Sequence, residues 1–236
     1  MGVIVDRFSN EEVFSFLDKH SIKYIKSFDM DGLYQPVNTH PDMQIHFFDE
    51  VTAVSAPKAY SYYKDRLPKS ITLLKGDKDP DCTYPGDCAY NVAKVGKKVI
   101  GKLSCVDAVI KEIYSQKGYD FITVNQGYTK CNLLIVDENS VITEDVGLSN
   151  NLRKCGIDVL TLKTLSVKLK NFNNGFIGGA SGFISKDTIL FTGNIKLHPE
   201  YQLIKSFIKE RKINIISLSS TVLEDFGSVL YFKDSF

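Results

Sequence analysis

One arrangement of apolar runs and turns recurs along the chain, and that recurrence limits the fold more than any motif does. CNLLIVDENSVITED reads as strand, turn, strand, with Asp137-Glu138-Asn139-Ser140 at the turn. LSNNLRKCG follows as a short helix with basic residues in its last turn and Gly156 where a helix-ending left-handed residue belongs. IDVLTLK closes the unit as a third strand. GFISKDTILFTG repeats the hairpin; Pro199 then opens a helix carrying Leu203, Ile204, Phe207 and Ile208, and INIISLSS closes. Earlier, CAYNVAKVGKKVIGK is a hairpin, Ser104 caps a helix with Asp107 three residues on, and FITVNQ is the closing strand. Earlier still come the hairpin MQIHFFDEVTAVSA, a helix opened by Pro57, and the strand ITLLKG.

The remainder sits at opposite ends. SVLYF is a lone C-terminal strand, and SNEEVFSFLDKHSIKYIKS is a helix, with a Ser9–Glu12 capping box, followed by a strand. Joined tail to head they supply most of a fifth unit. The 236 residues divide into five units of about 47, a period typical of propeller-type repeats. A small sheet with one helix cannot bury its apolar face alone, so the expected solution is a closed five-bladed α/β propeller, one domain over residues 1–236, pinned shut by both termini. The alternative is an open doubly wound sheet. It fits less well, because each helix here follows a hairpin rather than a single strand, and no Gly-x-Gly-x-x-Gly follows a strand.

Composition sets outer bounds. The chain is 43% hydrophobic and 24% charged, with a net charge of +1, values of an ordinary folded chain with no global attraction to nucleic acid or an anionic membrane. No apolar run approaches a membrane span, and the N-terminus lacks a signal-peptide core and the Ser or Thr of a myristoylation site, so a cytoplasmic location is expected. Five cysteines, an odd number without Cys-x-x-Cys, argue against a disulfide framework, and four histidines form no metal signature. No cofactor is implied.

With these units in place, and with the segments HPDMQIHFF, QGYTKCN and FIGGASGF, the sequence resembles the pentein, or guanidino-group-modifying-enzyme, fold and is most similar to an uncharacterised bacterial branch of it. That superfamily holds arginine deiminases, amidinotransferases, dimethylarginine hydrolases and a non-enzymatic ribosome anti-association factor. The resemblance covers essentially the whole chain as architecture, and fold alone does not give function. It implies that the start of each unit's first strand faces a central channel. Five segments are placed there: His40–Met43, Pro85–Cys88, Tyr128–Asn132, Gly178–Gly182 and Glu224–Ser228.

The resemblance further implies a cysteine thiolate attacking a guanidinium carbon, a histidine as acid and base, and carboxylates gripping the cation. This sequence departs from that pattern. The last unit reads DFGSVLYF, with Ser228 where the family's cysteine would fall, and Gly179-Ala180-Ser181 has no histidine where the family's His-x-Asp would fall. Among the other thiols, Cys131 begins a strand beside Lys130, whose charge would lower its pKa, while Asp87 would raise that of Cys88. Either cysteine also reads as a small buried apolar residue. The candidate catalytic residues are therefore Cys131, His40 and Asp42.

If residues 40–46 are extended, His40, Asp42, Gln44 and His46 share one polar face, with the outer histidines about 20 Å apart, too far for one metal ion unless the chain turns near Pro41. Asp42, Asp87, Glu224 and Asp225, if they converge, favour a guanidinium or amine; Lys130, Asn132, Ser181 and Ser228 complete the candidate binding set. The glycines of 178–182 read as close backbone approach rather than an anion cradle, and the irregular loop 169–175 as a cover for the channel mouth. The expected function is binding or modification of a small cationic guanidino or amine compound. The competing class is a non-catalytic interaction protein resembling the anti-association factor; dispersed lysines otherwise read as a solvated surface rather than an RNA or ribosome site. No membrane partner is expected.

Overall fold

Every expected hairpin is present in the computed structural model, which describes residues 1–35 and 37–234. The chain begins with β1 (Gly2–Val5), α1 (Glu11–Lys19) and β2 (Lys23–Lys26). The first interior unit is β3 (Ile45–Phe47), β4 (Thr52–Ser55), α2 (Pro57–Arg66) and β5 (Thr72–Lys75). The second is β6 (Ala93–Val95), β7 (Lys98–Gly101), α3 (Ala108–Gln116) and β8 (Asp120–Thr123). A single helical turn, α4 (Thr129–Asn132), precedes β9 (Leu134–Ile135), β10 (Ser140–Thr143), α5 (Val146–Lys154) and β11 (Asp158–Thr161). The last interior unit is β12 (Ser181–Ser185), β13 (Thr188–Phe191), α6 (Tyr201–Glu210) and β14 (Asn214–Ser217), and β15 (Leu230–Phe232) ends the chain.

These strands form five three-stranded sheets. In four of them the first strand pairs antiparallel with the second through the hairpin, and the second pairs parallel with the third across the helix. The fifth sheet joins the two chain ends: Gly2 pairs with Phe232 and Ile4 with Leu230, while β1 runs parallel to β2. The sequence reading lacked β1. Its four residues, GVIV, are wholly buried and show no alternation, as a strand covered on both faces should. The two termini therefore supply a complete unit.

The helices lie on their sheets through residues four apart, which share a helix face. Ile110 and Tyr114 of α3, and Ile204 and Ile208 of α6, are fully buried this way. Several helix starts differ from expectation. Asn10, not Ser9, caps α1 by accepting from Val13 N; Glu12 instead reaches Ser220 N and Oγ. Asp107, not Ser104, caps α3. The helix after Pro199 begins at Tyr201. At α1 and α3 a side-chain oxygen one to three residues further on has the better reach to the free N–H groups, whereas α6 starts without a side-chain cap.

Candidate functional site

The segments that lead into the five first strands meet at one place. Their first residues are not strands, as the sequence suggested, but tight turns: Pro41–Met43 and Gly86–Cys88 are 3-10 turns, and Cys131 lies in α4 rather than at a strand start. The turn at Pro41 ends the supposed alternation of His40, Asp42, Gln44 and His46. Gln44 is held by Tyr63 OH (2.7 Å) and donates to Phe28 O and Asn38 O, while His46 bonds Tyr114 OH within β3.

One group from each segment enters a shared hydrogen-bond cluster. Cys131 Sγ donates to Asp42 Oδ2 (3.1 Å), and Ser228 Oγ donates to the same oxygen (2.6 Å). Asn91 Nδ2 donates to Cys131 Sγ (2.9 Å), and Asn91 Oδ1 accepts from Lys130 N and Cys131 N. Ser228 Oγ also lies 3.1 Å from Gly178 O and accepts from Lys130 Nζ at 3.0 Å. Ser228 sits at φ +69, next to Gly227 at φ +68, so this segment turns sharply into the cluster. Gly178 is confined for the same reason: a Cβ there would stand 2.5–2.6 Å from the carbonyl oxygens of Lys130, Cys131 and Leu133. The glycine-rich run thus serves close backbone approach.

This plug separates two cavities, because the segments through Asp42 and Ser228 run from one to the other. On one side His40, Glu224 and Asp225 line a cavity of about 340 Å³, together with Asp6, Asn38 and Thr39. On the other, Asp42 and Lys130 line a channel of about 240 Å³ whose wall takes residues from the first-strand regions of all five units.

The first cavity is acidic. Asp6, Glu224 and Asp225 face it against Lys170 and His40. Burial raises the pKa of Asp6 and of Glu224. Asp225 is raised to about 6 by burial, opposed by His40 and reinforced by Asp42. It accepts from Gly227 N (2.9 Å) and Phe176 N (3.0 Å) and stands 3.8 Å from His40 Nδ1. Gly179 gives it room, since a Cβ there would fall 2.0 Å from Asp225 Oδ1. The loop expected to cover the mouth contributes Leu169 and Lys170, and Phe172 packs edge-on against Tyr34 at 5.6 Å.

The expected effect of Lys130 on the neighbouring thiol is outweighed. Burial first, then the charges of Asp42 and Asp225, push the Cys131 thiol well above its ordinary range. Burial lowers the pKa of Lys130 itself. Cys131 is thus a protonated donor in the resting protein. Cys88 is also pushed up, by burial and then by Asp87 as expected.

The remaining candidates separate. Asp87 accepts from Tyr128 OH (2.6 Å) and Cys88 Sγ (3.1 Å) and lines neither cavity. Asn132 is buried, its Nδ2 donating to Tyr128 O. Ser181 lines the channel, its hydroxyl spent on Ile177 O (2.8 Å). Sequence reasoning missed Asp6, Asn91 and Glu144. Asp6 directly follows the unread strand β1, which was the one available signal; Asn91 lies in no motif. Glu144 is buried, with Oε1 lacking a hydrogen-bond partner among the described residues, and burial raises its pKa to about 7.

Comparison with known proteins places this geometry. A family model described as a family of unknown function (DUF6873) matches residues 4–230. No curated protein matches the sequence. Among solved structures, an inosamine-phosphate amidinotransferase from Streptomyces griseus is 13% identical over 97% of this chain and 81% of its own, with a TM-score of 0.55. An amidinotransferase of the saxitoxin biosynthetic pathway from Microseira wollei is 12% identical over 92% of this chain and 88% of its own, TM-score 0.55. DDAH from Pseudomonas aeruginosa, a cysteine-to-serine mutant complexed with citrulline, is 9% identical over 90% of this chain and 81% of its own, TM-score 0.53. At such identities the likeness shows the fold, which is the pentein fold of guanidino-modifying enzymes. No helix among the described residues is long and apolar enough to cross a membrane.

Proposed function

The chain belongs to the DUF6873 family, and on that premise we propose that its acidic cavity binds a small cationic compound bearing a guanidino or amine group. One observation carries the reading. Asp6, Glu224 and Asp225 crowd one cavity wall, and all three hold their protons more tightly than usual. Carboxylates strained in this way gain from a bound cation, which replaces lost solvation with a charge partner. His40, beside Asp225, fixes one edge of the cavity. The pentein neighbours, two amidinotransferases and a DDAH, support the guanidino group as the cation of choice.

Cys131 joins this reading as the candidate nucleophile. Asp42 Oδ2, 3.1 Å away, is the acceptor in place to take its proton. Cys131 is buried in the plug and lines neither cavity, so its attack requires the bound group to pass beyond the carboxylates and displace part of the plug.

The test is a thermal-shift and calorimetric panel of agmatine, arginine and putrescine against citrulline, which is isosteric with arginine but uncharged at its side-chain end. Agmatine should stabilise the protein and citrulline should not. Agmatine affinity should fall about tenfold between pH 7.5 and pH 5 as Asp225 takes up its proton near pH 6. Glu224→Gln should weaken binding further. Equal binding of citrulline, or no response to any cation, would sink the proposal. Any turnover detected with the panel should vanish in Cys131→Ser while binding persists.

A further inference from the structure

The channel on the far side of the plug has a different chemistry. Its walls are apolar, with Ile45, Val92, Leu134, Phe183, Val229 and Leu230 prominent. Into it project Lys94 and Lys130, against the single carboxylate of Asp42. The remaining titratable side chain of ordinary basicity, His46, is neutral: burial and the two lysines push its pKa down to about 3. The channel therefore sets two amines against one carboxylate, and burial lowers the pKa of both lysines.

Neither ammonium is saturated. Lys94 Nζ donates to Phe48 O (2.7 Å) and Lys130 Nζ to Ser228 Oγ (3.0 Å), one bond from three N–H groups in each case. Both lysines are half-buried. Ammonium groups on apolar walls with spare donors are costly unless an anion or water completes them. Asp49 and Glu138, which do not line the channel, attract Lys94 from outside it; inside, the carboxylate at hand is that of Asp42. Its Oδ2 is taken by Cys131 and Ser228, and its Oδ1 is buried in the plug without a hydrogen-bond partner among the described residues.

We propose that this channel is a second binding site, for a small organic monoanion: a carboxylate with an apolar tail, its charge held by Lys94 and Lys130 and its tail against the strand walls. The size agrees. A cavity of about 240 Å³, filled at interior packing density, holds roughly eight to ten heavy atoms. The shape follows the usual form of such sites, a mostly apolar concavity with a few placed polar groups. The inference does not depend on the acidic cavity, since no residue lines both.

The probe is 4-methylpentanoate, and its control is 4-methylpentanamide, of the same shape without the charge. Titration calorimetry on the full chain should show saturable binding of the carboxylate and at least tenfold weaker binding of the amide. Lys94→Met keeps the apolar stem and removes the ammonium; it should lower carboxylate affinity at least tenfold. Because Lys94 is half-buried, its melting curve should be recorded without ligand, and Lys94→Gln tested beside it in case the methionine variant does not fold. Glu224→Gln should leave carboxylate binding unchanged. The proposal is overturned by equal binding of the amide, by unchanged affinity in a folded Lys94 variant, or by no binding of the carboxylate at millimolar concentration.

Discussion

The two cavities that flank the plug are built from different parts of the same repeat. The acidic cavity is walled by irregular segments at the strand ends, such as 38–40 and 224–226; the channel is walled largely by strands. Strand residues alternate faces, so a channel lined by strands inherits the apolar residues that pack its own sheets. Segments between elements have no such obligation and can gather carboxylates. The charge contrast therefore follows from where each wall comes from. The plug stands between the two walls, and it is where the contrast is most easily broken.

Gly178→Ala should break it most severely. The new Cβ would press on three carbonyl oxygens at 2.5–2.6 Å, all backbone, so relief requires the α4 turn or the glycine segment to move. A loss of about 3 kcal/mol is expected by denaturant melting. Gly118→Ala is the control. It carries φ +66 with nothing within 4 Å, so only left-handed strain applies, about 1–2 kcal/mol. Equal costs at the two glycines would mean that the plug is not closely packed.

Glu144 sharpens the acidic side. Its Oε2 lies 3.4 Å from Ile177 N, on the segment entering the plug, and its Oε1 has no partner among the described residues. Unfolded, the carboxyl loses its proton near pH 4.5; folded, it does so at about 7. Between those values the folded protein holds the extra proton. Stability should therefore fall as pH rises through this window and stay low above 7. The shift corresponds to about 3 kcal/mol. Glu144→Gln should recover about 2 kcal/mol of this at pH 8 and change little at pH 4.5, read from paired urea melts. A variant no more stable than the parent at pH 8 would place the carboxylate in a better-solvated setting than its burial indicates.

The fold was legible because the repeat is written in apolar spacing and turn residues, and both are local. Gly96, Gly118 and Gly156 all adopt the positive φ that their turns require. β1 escaped because four buried residues without alternation carry no period. The site was legible only in outline. Five segments could be assigned to the centre, and four of them meet there; the second unit enters through Asn91 rather than Pro85–Cys88, and turn geometry decides which side chain reaches which neighbour. A Pro at 41 and a one-turn α4 moved Asp42 and Cys131 into a shared plug, where a carboxylate 3.1 Å away outweighs the lysine next in sequence. Sequence adjacency ranks Lys130 first; burial and tertiary contact rank Asp42 first.

That reversal gives the smallest and most specific effect. A protonated thiol at 131 works as a donor to Asp42 and an acceptor for Asn91 Nδ2. A serine hydroxyl performs both roles, with a slightly shorter reach, so Cys131→Ser should change stability by less than about 1 kcal/mol. Cys131→Ala removes both roles. Among the described residues it leaves Asn91 Nδ2 with the weak acceptor Met43 Sδ at 3.5 Å, and Asp42 Oδ2 with Ser228. A cost of about 1–3 kcal/mol is expected, because a buried donor loses its partner. Were the resting group instead a thiolate, serine could not replace its charge. Asn91 would then bond a neutral oxygen and Lys130 would lose a counter-ion, so the serine variant would fall with the alanine one. The gap between the two variants thus reads the charge of the thiol directly, without needing a substrate.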